Sequence, residues 1–152
     1  KERTALVEHT YKIISGMEKL LSKLKDAETG VRGYALTRDL AFLEPYVNSQ
    51  SMADSIFNEI NMLTQDNTVH QQRLTELKKS IDRRFEILIT SVNYFKNGAK
   101  DTAFQMVPLQ MESKRVMDKI RLSVEIIQND EKNTLAKRDI DLNGDYSLLN
   151  DA

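Results

Sequence analysis

The sequence predicts an all-α fold, an elongated antiparallel up-down four-helix bundle, and three observations carry that prediction. Apolar residues recur at alternating steps of three and four over separate stretches, the spacing that puts them on one side of a helix. Gly and Pro are scarce, five and two in 152 residues, while Trp and Cys are absent. The few turn formers fall between the periodic stretches.

The first stretch is the longest. Leu6, Thr10, Ile13, Met17, Leu20, Leu24, Ala27, Val31 and Tyr34 form a heptad seam of about five repeats and predict a helix over 2 to 37. Asp39 and the Glu44-Pro45 step mark the end of that helix and the start of the next, because Pro is tolerated in a first helical turn but not in an interior. Val47, Ala53, Ile56, Ile60 and Leu63 make a less regular stripe for a second helix over 42 to 64. Asp66 and Asn67 can accept from the free amides that open a third helix over 67 to 97. Leu74, Leu77, Ile81, Phe85, Leu88, Val92 and Phe95 form its stripe, and Asn97-Gly98 closes it through a left-handed residue. Pro108 is placed at the start of a fourth helix over 108 to 139, striped by Met117, Ile120, Val124 and Ile127, with room for a short helical turn around 100 to 106. Residues 139 to 152 lose the heptad and gain Asp, Asn and Gly, so an irregular polar tail is expected after a folded domain of residues 1 to 138.

An even number of helices running back and forth returns the chain to the side where it started. The first helix should be on the order of 50 Å long and the second about 30 Å. The bundle should therefore thin to helices one and four near the termini, leaving their seams for a second chain.

Composition narrows the chemistry. Lys plus Arg number 22 and Asp plus Glu 23, too even a balance to attract nucleic acid or an acidic membrane, and no nucleic-acid partner is expected. No run reaches the ~18 apolar residues of a membrane span. The chain begins at Lys1 without Met and is read as a segment of something longer. His9 and His70 lack the neighbours that metal binding or nucleophilic catalysis needs, and both are read as solvated or structural. The methionines are read as core, and the Lys78-Lys79 and Arg83-Arg84 pairs as a solvated basic face. No catalytic residue, metal site or cofactor is expected.

Residues 26 to 37 stand apart. Gly30 and Gly33 inside a helix cost about 1 kcal/mol each relative to Ala, and their missing side chains let another helix or a ligand come close. Glu28 and Arg32 stand four apart, as an ion pair would. Asp26, Glu28, Thr29, Arg32, Gly33, Tyr34, Thr37 and Tyr46 are the candidate ligand-binding or signalling residues, set against the plainer reading that the glycines only admit a close helix crossing.

The same segment carries a resemblance. Val7-Glu8-His9-Thr10, the run Leu24-x-Asp26-Ala27-Glu28-Thr29-Gly30-x-Arg32-Gly33-Tyr34-x-Leu36-Thr37, Phe42-Leu43-x-Pro45-Tyr46 and Lys114-x-x-Met117-Asp118-x-Ile120-Arg121 resemble the third type of CHASE domain. The family's expected length covers about residues 4 to 138. The resemblance implies an extracytoplasmic, periplasmic sensory module held between two membrane spans of a bacterial receptor. It implies further a sensor histidine kinase of a two-component system as the commonest parent, with diguanylate cyclase, adenylate cyclase or chemoreceptor outputs in other receptors of the kind, and an unidentified small-molecule or protein stimulus. A homodimer through helices one and four, touching the membrane only through its spans, is the expected assembly. Position 35 is Ala where the family commonly has a larger aliphatic residue, which widens the notch. The alternative is a soluble helical interaction bundle with no membrane connection.

Overall fold

The structure, a computed structural model, describes residues 2–98 and 102–150, with side chains over 2–98 and 106–138. Among the described residues there are four α-helices and no strand: α1 (Glu2–Thr37), α2 (Glu44–Leu63), α3 (Thr68–Lys96) and α4 (Thr102–Asn150), with one 3-10 turn at Leu40–Leu43.

The predicted stripe of α1 is the core. Ile13, Met17, Leu20, Leu24 and Ala27 are fully buried, and Val31 and Tyr34 nearly so. Against them pack Leu74, Leu77, Ile81, Phe85, Leu88 and Val92 of α3 and Met117, Ile120, Val124 and Ile127 of α4. On α2 the stripe differs from expectation: Val47 is 64% exposed, and the buried line is Ser49, Ala53, Phe57 and Ile60. A serine in the seam hides that line from hydropathy. Met17, Met106 and Met117 are core as expected, whereas Met52, Met62 and Met111 lie on the surface.

Contacts give the chain directions. Going up α1, His9 Nε2 donates to Leu63 O (2.7 Å), Gly16 lies against Ile60 and Gly30 against Tyr46, so rising numbers in α1 meet falling numbers in α2. Thr10 Oγ1 donates to Glu131 (3.2 Å) and Gln128 Nε2 to Ile14 O (3.1 Å) and Glu18 (2.9 Å). Arg73 pairs with Asp130 and Arg83 with Glu112, so α3 and α4 also meet in opposite order. α1 and α3 each contact all three other helices, and α2 packs mainly on α1.

The ends of the helices have local causes. Arg38 takes a left-handed conformation (φ 59°) after α1, at about 1 to 2 kcal/mol for a residue with a Cβ. Its guanidinium offsets that cost by donating to Ala35 O (2.9 Å) and lying 4.6 Å from the centre of the Phe95 ring. Asp39 caps the 3-10 turn through Ala41 N (2.9 Å), and Asn67 caps α3 through His70 N (2.9 Å). Gly98 is left-handed (φ 67°) after α3, as the Asn97-Gly98 pair implies.

Two expectations are corrected in α4. Pro108 lies inside the helix, which already runs from Thr102, instead of starting it. In the second turn its ring removes one backbone hydrogen bond, to the carbonyl of Phe104, without ending the helix. The backbone also stays helical across 139 to 150, where an irregular tail is expected. Asp, Asn and Gly each cost at most about 1 kcal/mol in a helix, and extending a nucleated helix adds a hydrogen bond per residue. Residues 151 and 152 lie outside the described residues.

Near the termini the bundle thins. Every described side chain before Thr10 or after Glu131 is exposed or only half-buried. At that boundary a polar layer joins three helices. The carboxylate of Glu131 accepts from Thr10 of α1 and from His70 Nε2 (2.9 Å) of α3. Arg73 can only donate, so His70 Nδ1 (3.3 Å) accepts and the ring proton sits on Nε2. His70 thus ties α3 to α4 within this layer.

The glycines of α1 give a test. A Cβ at Gly30 would sit 2.7 Å from the backbone oxygen of Phe42, which cannot move away without shifting the turn. A Cβ at Gly33 would meet only the half-exposed ring of Phe42. Gly30→Ala is expected to lose about 1 to 3 kcal/mol in urea unfolding, overcoming the helix-propensity gain, and Gly33→Ala to lose less. Equal or reversed effects would contradict the close approach at Gly30.

Candidate functional site

At the end away from the chain termini, α1, α3 and α4 line a half-open cavity of about 470 Å³. Its apolar lining is Val31 and Ala35 from α1, Ile87, Leu88 and Phe95 from α3, and Met106 and Met117 from α4, with the neutral polar side chains of Ser91, Gln110 and Ser113 among them. Its charged groups are Glu28 and Arg32 from α1, Arg84 from α3, and Lys114 and Arg121 from α4.

Arg84 is the unusual member. The basic pair 83 and 84 is expected on a solvated face, yet Arg84 is only 2% exposed while Arg83 reaches solvent. The reason is register. Leu77, Ile81, Arg84 and Leu88 follow the four-three-four spacing of the seam, so position 84 points into the bundle and position 83 does not. Burial pushes the Arg84 guanidinium below its ordinary range, opposed by Glu28, with Arg121 and Arg32 adding repulsion. Glu28 Oε2 accepts from Arg84 Nη2 at 2.9 Å, and its other oxygen lies 3.0 Å from Arg32. Arg84 Nε is buried and no protein acceptor reaches it among the described residues.

Arg83, one residue earlier, makes a two-pronged bridge to Glu112 of α4, Nε to Oε1 and Nη2 to Oε2, both 2.7 Å. The Arg83 guanidinium holds the Glu112 carboxyl below its usual range. The bridge thus supports the fold above the ordinary carboxylate pKa near 4.5 and is lost as pH falls through the lowered value.

Of the eight candidate residues, Glu28 and Arg32 line the cavity. The rest lie elsewhere. Tyr34 is in the core, and Gly33 lies against the Phe42 ring. Thr37 Oγ1 donates to Gly33 O (2.7 Å) and accepts from Asp39 N (3.1 Å), finishing α1. Asp26 lies 3.6 Å from Lys23, Thr29 is exposed, and the phenol of Tyr46, half-buried beside Gly30, is pushed up by burial. Ala35 also lines the cavity. Sequence reasoning passed over Arg84, Lys114 and Arg121 as site residues. The legible signal was a charge at a seam position.

No group of three or more His, Cys, Asp or Glu among the described residues could hold a metal ion. No helix among them is long and apolar enough to cross a membrane.

The buried pair makes a prediction. Glu28→Gln leaves the Arg84 charge in the interior without its carboxylate and is expected to cost about 1 to 3 kcal/mol in urea unfolding. Arg84→Met, which removes the charge and keeps the bulk, should stay within about 1 kcal/mol of the parent. Equal losses in the two variants would show that the pair itself holds the fold.

The geometry can now be set beside known proteins. The family model for the CHASE3 domain matches residues 3–141. No curated protein matches the chain, and no solved structure does.

Proposed function

We propose, from the premise that this chain belongs to the CHASE3 domain family, that it is the sensory segment of a bacterial transmembrane signalling receptor. The family is one of extracytoplasmic sensory domains of receptors and is not catalytic. In this reading the parent is a sensor histidine kinase of a two-component system, and this segment lies in the periplasm between spans in the flanking sequence. A stimulus, a small molecule or a protein, displaces α1 relative to α4.

One observation carries the relay. Two of the three helices that wall the cavity at one end, α1 and α4, also meet at Thr10 and Glu131 and continue beyond the core at the other. A stiff helix transmits displacement along its axis, and heptad packing offers discrete alternative registers to move between. A ligand acts by binding one register better than the other. The freed seams of α1 and α4 meet a second copy of the chain, giving a dimer in the membrane.

The test uses the full-length protein in a cysteine-free background. Lys12 is exposed, so Lys12→Cys in intact spheroplasts should react with a membrane-impermeant maleimide. Reaction only after lysis would remove the extracytoplasmic assignment and favour a soluble bundle. Glu18→Cys with Gln128→Cys, whose parent side chains lie 2.9 Å apart, should fix kinase output at one level once bridged by a short thiol cross-linker. Output that still responds after bridging would contradict the relay.

A further inference from the structure

We infer that the cavity between α1, α3 and α4 is a binding site for a small organic anion, a carboxylate head on an apolar body. The inference deepens the sensor reading and takes its biological meaning from it.

The charge of the site points to an anion. Four cations line it, Arg32, Arg84, Lys114 and Arg121, against one lining carboxylate, Glu28. Asp118, 3.6 Å from Arg121, engages one of them from outside, and Glu28 is shared between Arg32 and Arg84. Positive charge is left in excess, and Lys114 has no ion-pair partner among the described residues. A metal cation or a polyamine would be repelled.

Arg84 points to the same ligand independently. A buried N–H of a charged group that finds no acceptor costs stability, and folded proteins rarely leave one. Here Nε is such a group, on a side chain that lines the cavity and is fixed by its bond to Glu28. A carboxylate oxygen supplies the acceptor, and a charge-assisted bond is stronger than a neutral one.

The walls define the rest of the molecule. Ile87, Phe95, Met106 and Met117 reward an alkyl or aromatic body, while Ser91, Gln110 and Ser113 are the neutral groups left to meet the oxygens of the head. A cavity of about 470 Å³ falls within the ~300 to 1,000 Å³ usual for small-molecule sites. Ala35 keeps the α1 wall short, leaving room that a larger aliphatic residue would take. Since Glu28 of α1 shares the guanidinium with the arriving anion, occupancy is felt directly by α1.

The experiment is calorimetric titration of the 152-residue chain at low salt with sodium octanoate, and in parallel with octanamide, its uncharged counterpart, and inorganic phosphate. Octanoate is expected to bind saturably, with octanamide about tenfold or more weaker. Arg84→Gln, checked for an unchanged melting curve, should bring octanoate down to the level of octanamide. Should that variant melt early, Lys114→Gln at an exposed position takes its place and is expected to weaken octanoate several-fold. Absence of saturable octanoate binding, equal affinity for octanamide, or unchanged octanoate affinity in the folded variants would overturn the anion site. Phosphate binding as tightly as octanoate would overturn the apolar body. Because the titration needs no membrane, failure here leaves the maleimide result standing, and failure there leaves this one.

Discussion

Burial of one continuous apolar row on α1, from Ile13 to Tyr34, is the constraint on which the rest of the structure depends. Burying a large aliphatic side chain is worth about 1.5 to 3 kcal/mol. Five of them in that row therefore match the whole net stability of a typical domain, about 5 to 15 kcal/mol. α2, α3 and α4 all pack against α1, whereas α2 and α3 touch each other little. α2 is placed by what it covers on α1, while α3 and α4 pack on each other as well as on that row.

The cavity follows from the same arrangement. Towards the end of α1 the chain must turn, and Gly30 and Gly33 draw the 3-10 turn and the start of α2 tightly onto one side of the helix. That leaves the opposite side, carrying Glu28, Arg32 and Ala35, to α3 and α4. There the seam of α3 presents Arg84 in place of an aliphatic residue, and the layer cannot close as it does around Leu20 and Leu24. An ion pair between Glu28 and Arg84 holds the layer together while leaving it open. The receptor reading uses this economy: one helix forms the floor of the cavity and also reaches the far end.

Much of the fold was legible because a heptad needs only apolar spacing to be seen. α1 and α3 show it best, since their stripes are long and punctuated by Asp39, Asn67 and Gly98. α2 was read less well, because Ser49 and Thr64 occupy buried positions that hydropathy assigns to the surface. Pro108 and the run after Arg138 misled for a related reason: local propensity, about 3 kcal/mol for a proline and at most about 1 kcal/mol for the residues after Arg138, is overridden by the rest of the helix. The site was legible in half. Glu28 and Arg32 attracted attention through their spacing beside the glycines, but their partners on α3 and α4 are some 50 to 90 positions away, and no local pattern joins residues so far apart. Arg84 could have been found by asking which charges fall on a seam.

The most direct measurement of the central claim is native-state hydrogen exchange across the chain. If the fold depends on α1, the amides of residues 13 to 34 should exchange only through global unfolding, as slowly as those of the α3 and α4 cores, while residues 2 to 9 exchange far faster. Exchange of the α1 core through a partial opening that leaves α3 and α4 protected would contradict the account, because the other helices would then hold together without it.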